Sequence, residues 1–217
     1  MGITIALNML ILKTLVRFLL VLRFHFHRLT RTGAFKAPGA KLVSHRGTRT
    51  ANIIKGGLFK FHVKQFHESS CSVASLVCVV NTLLEKNHML TSPAVTQEEI
   101  LEKVRCAHWK ERMGPGGYKG RKGLPLDVLG QVTQAALRAY GIPFASVETV
   151  RAAPDKGVQK ELKAQLTRFE TSGSCILIAH FDQGAFVREL NIPHISPVGG
   201  FDPATLKVTI LDVDPSQ

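Results

Sequence analysis

The apolar positions of this chain change rhythm along its length. Residues 71–84 are apolar on nearly every side of a helix, through Val73, Ala74, Leu76, Val77, Val79, Val80 and Leu84. A helix without a polar face belongs in a core, so this element is expected at the centre of the fold, with Cys71 opening it after the polar stretch Gln65 to Ser70. Thr96 and Glu99 have the spacing of a capping box that starts a helix reaching about residue 105. Residues 126–140 keep helical spacing and stop before Gly141, a C-cap signal. Residues 155–171 read as a more polar amphipathic helix. Alternation over residues 57–63 suggests a short strand. A continuous apolar strand is expected at 176–181, a segment returning toward His194 at 187–190, a turn at 201–205 and a last strand at 207–213. Helices first and strands later predict an α+β fold with a segregated antiparallel sheet. Residues 114–123 form a basic, glycine-rich loop. It is no phosphate-binding loop, because no strand precedes it and the Gly-Lys-Ser/Thr ending is missing.

The charge is distributed unevenly. Residues 1–67 hold no Asp or Glu but twelve Lys and Arg, and from Glu68 onward sixteen basic residues balance sixteen acidic ones. The net charge of +12 therefore belongs to the first third. The rest is neutral and carries no zinc-finger, RNA-binding or helix-turn-helix pattern, which excludes nucleic acid as the expected partner. Residues 3–22 are strongly apolar but interrupted by Lys13 and Arg17, which share a helical face. As a transmembrane span this run would bear about 2.5–3.5 kcal/mol for each mid-span charge. An interfacial amphipathic helix keeps both on its polar face, and Arg23, Arg28 and Arg31 then attract anionic lipid. No charge precedes Lys13 and no Ala-x-Ala site follows, so a cleaved signal peptide is less supported. An organelle transit peptide, a poorly ordered extension and a start placed too far upstream stay open. The expected organisation is a membrane-associating segment at 1–31, a linker at 32–55 and a catalytic domain at 56–217. The catalytic domain is expected on the cytoplasmic side, with an exported or soluble cytoplasmic protein as the alternative.

Four cysteines, Cys71, Cys78, Cys106 and Cys175, show neither metal-ligand pairing nor a disulfide framework. Cys78 and Cys175 lie in apolar runs and read as core thiols, and Cys106-Ala107-His108 is a weak metal candidate. Cys71 stands apart. A thiol attacks as its thiolate, which a helix N-terminus and a nearby imidazolium both favour. His194 and Asp212 supply the remaining parts of a triad, a base and a carboxylate that orients it, and Asp214 is the rival carboxylate. His67 and Glu68, although near Cys71 in sequence, read as cleft-lining at most, and His180 as a satisfied core histidine.

The residues around these three carry a family resemblance. Gln65, Cys71, Ala74, Ser75, Leu76, Val77 and Asn81, then His194-Ile195-Ser196-Pro197 with Phe201, and Leu211-Asp212-Val213 occur in the order found in the phytochelatin synthases. These are papain-like enzymes that act on glutathione. The resemblance covers roughly residues 59–214 and is weakest in the middle. It implies a papain-like α+β fold with a helical part and an antiparallel sheet. It also implies that Cys71 is the nucleophile, His194 the acid–base, Asp212 its orienting partner and Gln65 an oxyanion donor. Two departures stand out. Ser72 occupies the position after the nucleophile where that family carries Gly. Leu-Asp-Val is followed by Asp214-Pro215-Ser216-Gln217 rather than a basic, aromatic, Pro-rich stretch, which tilts the expectation toward hydrolysis over transfer.

The expected function is thus that of a glutathione γ-glutamylcysteinyltransferase or hydrolase working through a thioester on Cys71. Arg112, Lys119, Arg121 and Lys122 are candidates for meeting the carboxylates of glutathione. With Ser196, Arg121 and Lys122 form the expected substrate-binding set. No tightly bound cofactor or protein metal site is expected; heavy-metal ions such as Cd or Zn would act as activators through metal–glutathione thiolate. Glutathione, its conjugates and a membrane surface or bilayer are the expected partners, and a homodimer is left open. Two other readings compete: a papain-like peptidase acting on peptides or glutathione conjugates, and a catalytically dead, membrane-tethered protein that holds thiols or metals. Replacing Cys71 separates them, since only an enzyme loses turnover.

Overall fold

The computed structural model describes residues 15, 18–19, 21–23, 25–26, 29–30, 51–183 and 193–214. The chain divides into two compact units, Met1–Ser44 with Phe181–His194, and His45–His180 with Ile195–Gln217. In the first, the described positions between Leu15 and Thr30 are helical and expose Leu15, Phe18, Leu19, Leu22, Phe26 and Leu29. Among the described residues, no helix is long and apolar enough to cross a membrane. Most of the expected membrane segment, linker residues 32–50 and the segment at 187–190 lie outside the described residues.

The second unit is built around one helix. Along the chain from Ile53 the elements are α1 (Ile53–Lys60), α2 (Cys71–Lys86), α3 (Gln97–Lys103), α4 (Trp109–Met113), α5 (Leu126–Ala139) and α6 (Lys156–Ser172), then the strands β1 (Ile178–Asp182), β2 (Pro193–Asp202) and β3 (Lys207–Ile210), the end of β1 and the start of β2 being counted with the first unit. Helix α2 is the expected central element, with thirteen of its sixteen residues buried. One side, through Val73, Leu76, Val77 and Val80, joins a core shared with α3, α4 and α5. The other, through Cys78 and Val79, meets Ile54 and Leu58 of α1, Leu166 and Phe169 of α6, and Val198 and Phe201 of β2. Each fully buried Val or Leu on such a helix contributes about 1.5–3 kcal/mol. The strands follow the order β1-β2-β3, and β2 pairs antiparallel with β3 from Val198↔Ile210 to Asp202↔Lys207. The register slips between Val198 and Gly200. Gly199 is required there, because a Cβ would stand 2.6 Å from Leu211 Cγ. The fold is α+β with an antiparallel sheet, as the element order predicted.

Local predictions fared unequally. The 57–63 strand is wrong. Ile53–Lys60 is α1, capped by Asn52, whose side chain accepts the Lys55 N–H. Ile54 and Leu58 point the same way at helical spacing into the core. Thr96 caps α3 through the Glu99 N–H, but Glu99 turns outward to accept from Tyr140 Oη, so only half of the capping box forms. The single turn α4 was not anticipated. The last strand ends at Ile210 rather than at residue 213. Among the other predicted elements, Asp155 caps α6 through two N–H groups, and His180, half-buried, shares a hydrogen bond with Leu124 O at 3.1 Å.

Candidate active site

Cys71 is the first residue of α2 and is 6% exposed. The N-cap, Ser70, does not cap. Its hydroxyl instead closes the preceding loop, accepting the His67 N–H at 3.1 Å and donating to His67 O at 2.7 Å. Val73 and Ala74 N–H both reach Ser70 O. The N–H groups of Cys71 and Ser72 have no acceptor among the described residues, and no acidic side chain lies in the first turn. Helices α1, α3 and α6 have side-chain caps, whereas α4 and α5, like α2, do not. An uncapped N-terminus presents roughly half a positive charge and free donors, the setting that stabilises a thiolate or a developing oxyanion.

Three sets of hydrogen bonds tie distant segments to this helix end. Ser75 Oγ, one turn after Cys71, donates to Ile195 O at 2.9 Å; Ile195 follows His194 in the chain. Gln65 N–H donates to Val213 O at 2.8 Å, and Val213 follows Asp212. Ser69 Oγ donates to Met113 O at 3.2 Å, and Ser72 Oγ accepts from Trp109 Nε1 at 3.0 Å while donating to Met113 Sδ at 3.7 Å. Cys71, Trp109, Met113, Ile195 and Val213 belong to one buried cluster. The Trp109–Met113 turn therefore holds Ser69 and Ser72, on either side of the nucleophile candidate in the chain. Sequence reasoning missed it. The signal was present as the chain's single tryptophan with an apolar partner four residues on.

Gln65 is buried, and its amide Nε2 donates to Glu68 O at 3.3 Å, leaving a second N–H on that nitrogen; Oε1 is buried without a partner. Asp212 is held by its main chain. His62 Nε2 meets Asp212 O at 2.9 Å, and Lys64 Nζ donates to Asp212 O at 3.0 Å and Asp214 O at 2.9 Å. With Asp212 O as its partner, Nε2 is the protonated nitrogen of a neutral ring, and burial in turn lowers the His62 pKa. Asp212 Oδ1 accepts the Asp214 N–H at 2.9 Å, an Asx turn that takes both carboxylates off any strand. Two residues apart, they would share one face of a strand, and the turn removes that arrangement. His194 is buried and makes an edge-to-face contact with Phe181 at 5.6 Å. Ser196 is fully buried, and its hydroxyl accepts the Val213 N–H at 3.4 Å.

The other thiols suit a core role. Burial pushes Cys78 up to about 12, its Sγ donating to Leu58 O at 3.1 Å, and burial likewise raises Cys175. Asn81 pins the chain before α3 through two hydrogen bonds to Val95 at 2.9 Å. In the basic loop, Tyr118 and Arg121 exchange backbone hydrogen bonds, and the side chains of Arg121 and Lys122 are exposed. Gly117, at φ +62°, approaches Arg121 O so closely that a Cβ would sit 2.4 Å away. Among the described residues no group of three or more His, Cys, Asp or Glu is arranged to hold a metal ion. An open depression of about 450 Å³ beside Asn52, Lys86 and Glu170 contains none of the candidate residues.

Comparison with known proteins agrees with the three sequence blocks. A family model described as phytochelatin synthase matches residues 48–215. No curated protein matches the chain.

Proposed function

The chain belongs to the phytochelatin synthase family, and from that premise we propose that it cleaves the Cys–Gly bond of glutathione through a thioester on Cys71. The membership supports glutathione-related γ-glutamylcysteinyl transfer in general terms and fits the papain-like character of the α+β fold. The observation that carries the finer reading is the uncapped N-terminus of α2. It leaves the Cys71 and Ser72 N–H groups free, while the chain neighbours of His194 and Asp212 are hydrogen-bonded to α2 and the loop before it.

In this mechanism His194 takes the Cys71 proton, and the thiolate attacks the cysteinyl carbonyl carbon. The tetrahedral oxyanion develops against the Cys71 N–H and the Gln65 amide. The C–N bond breaks, and His194, oriented by Asp212, gives its proton to the leaving glycine amine. Water, or the amine of a second glutathione, then attacks the thioester with His194 as base. The first outcome yields γ-glutamylcysteine and the second a phytochelatin. Heavy-metal ions enter as the thiolate complex of the substrate. We further propose that the exposed apolar side chains from Leu15 to Leu29, together with Arg23, bind an anionic membrane surface with the catalytic unit on the cytoplasmic side. An unchanged membrane fraction after deleting residues 1–31 would refute that.

The decisive experiment incubates the full chain with glutathione, with and without Cd²⁺, and analyses products by mass spectrometry beside Cys71→Ala. Glycine with γ-glutamylcysteine, absent for the variant, is the expected hydrolase result, and longer oligomers add transfer. Product formation that persists in Cys71→Ala, or no product under any condition, would overturn the reading.

A further inference from the structure

Arg112 is a cation held at several points in the turn that packs beside Ser69 and Ser72. Its Nε donates to Ala107 O at 3.0 Å, its guanidinium carbon lies 5.0 Å from the Tyr118 ring centroid, and its carbonyl accepts the Gly123 N–H at 3.4 Å. Tyr118 is itself sandwiched, stacking on His108 at 4.0 Å with the planes 9° apart. Glu111 is the nearest acid in sequence, but its carboxylate contacts His108 Nδ1 at 3.1 and 3.2 Å. The terminal nitrogens of Arg112 are left without an acceptor among the described residues. Lys119 lies over the same ring at 5.3 Å, and no Asp or Glu occurs from Arg112 to Leu126.

Position gives this cation its meaning. Met113, the next residue, contacts Ser69 through its carbonyl and Ser72 through its sulfur, on both sides of Cys71 in the chain. One residue step is about 3.8 Å and an extended tripeptide spans about 10 Å, the reach that a glutathione with its cysteinyl carbonyl at Cys71 has toward the turn that carries Arg112. A planar fork with one edge tethered and the other open suits bidentate capture of a carboxylate.

We propose that Arg112, rather than the exposed Arg121 and Lys122, is the specificity-determining anchor for a carboxylate of the γ-glutamyl tripeptide. This inference rests on the glutathione reading and names the group that recognises that substrate. Arg112 fixes the peptide's charged end while Cys71 meets the scissile carbonyl. A lysine replaces it only in part, since an ammonium keeps the charge but lacks the fork.

The test measures binding of glutathione to the full-length Cys71→Ala protein by titration calorimetry, which requires no turnover. Arg112→Ala is expected to weaken binding by at least about tenfold, the scale for losing a charge-assisted pair. Arg112→Lys recovers only part of that loss, and Lys110→Ala, which removes an equal charge from the exposed partner of Glu102, stays within about twofold. Without any change at Arg112, the glycyl ethyl ester and the α-carboxamide of the γ-glutamyl residue identify the carboxylate. One of them loses the same factor, and Arg112→Ala no longer distinguishes it from glutathione. If both derivatives bind like glutathione, or Arg112→Ala binds like its parent, the proposal is overturned. Arg112-dependent binding without turnover by the wild type would sink the catalytic reading and leave this one standing. No binding of glutathione by the parent would overturn both.

Discussion

Replacing Ser72 by Ala tests whether the Trp109–Met113 turn is fastened to the nucleophile helix by the hydrogen bond seen in the structure. Both partners are buried, Ser72 at 0% and Trp109 at 1% exposure. Alanine leaves the indole N–H with no acceptor in a dry site, a penalty of about 1–3 kcal/mol. Helix propensity acts the other way, since alanine gains at most about 0.5 kcal/mol over serine. The hydrogen bond wins, and net destabilisation of about 0.5–2.5 kcal/mol is expected. Trp109→Phe supplies the control because it removes the donor. In that background Ser72→Ala should cost under about 0.5 kcal/mol, since no indole N–H remains to be orphaned. The assay is guanidinium unfolding of the wild type, both single variants and the double variant at unchanged slope. Equal effects of Ser72→Ala in the two backgrounds, within about 0.3–0.5 kcal/mol, would mean no coupling and refute the reasoning.

Three further outcomes are expected. Gln65→Ala should lower kcat on glutathione by about 10²–10³, the usual loss for one oxyanion donor, with little change in the Michaelis constant; an unchanged kcat would remove Gln65 from the site. His62 has a folded pKa below its ordinary 6.5, lowered first by burial. The unfolded chain therefore binds its proton more readily, and the stability contribution, complete above pH 6.5, is lost as pH falls through the folded value. The wild-type melting temperature should drop on acidification below pH 6.5 more steeply than that of His62→Gln, and parallel curves would show that His62 is not responsible. Cys78, with its thiol pushed up to about 12, should remain unmodified by iodoacetamide in the native protein at pH 8 and react only on unfolding, as read by peptide mass spectrometry.

Much of the fold was legible because α2, α5 and α6 satisfy local and tertiary demands with the same residues. The exceptions have physical causes. Around Leu58 the pattern alternates, and Gly56-Gly57 weakens any helical reading, yet the segment is helical. Gly57 is needed there because a Cβ would stand 2.7 Å from Thr82 Cγ2 on α2, so packing decides against propensity. Helix α4 is one turn long, far below the length at which a helix declares itself, and bonds to Ser69 and Ser72 secure it from some forty residues away. The strand predicted through residue 213 stops early because the Asp214 N–H turns back to the Asp212 carboxylate. Of the candidate site, Cys71 at a helix start could be read from the polar-to-apolar junction. The clamp of His62 and Lys64 on the Asp212 carbonyl could not, since it joins segments about 150 residues apart whose side chains carry no motif.

The missing cap on α2 is best understood as a choice between two uses of one hydroxyl. A serine at an N-cap ordinarily gives its oxygen to the helix, and losing that bond costs about 0.5–2 kcal/mol. Ser70 is correctly placed yet spends both of its hydrogen-bonding capacities on His67. That shapes the loop that begins at Gln65, whose N–H bonds Val213 O, and it keeps the Ser70 oxygen off the Ser72 N–H. A capped α2 would be more stable, but it would place a partly negative oxygen on the first-turn N–H groups beside the thiol and screen the dipole there. Side-chain caps close α1, α3 and α6, whereas α4 and α5 also lack one, so it is the thiol in the first turn that sets the open end of α2 apart. An open helix end beside a thiol is the arrangement expected where negative charge is to be bound.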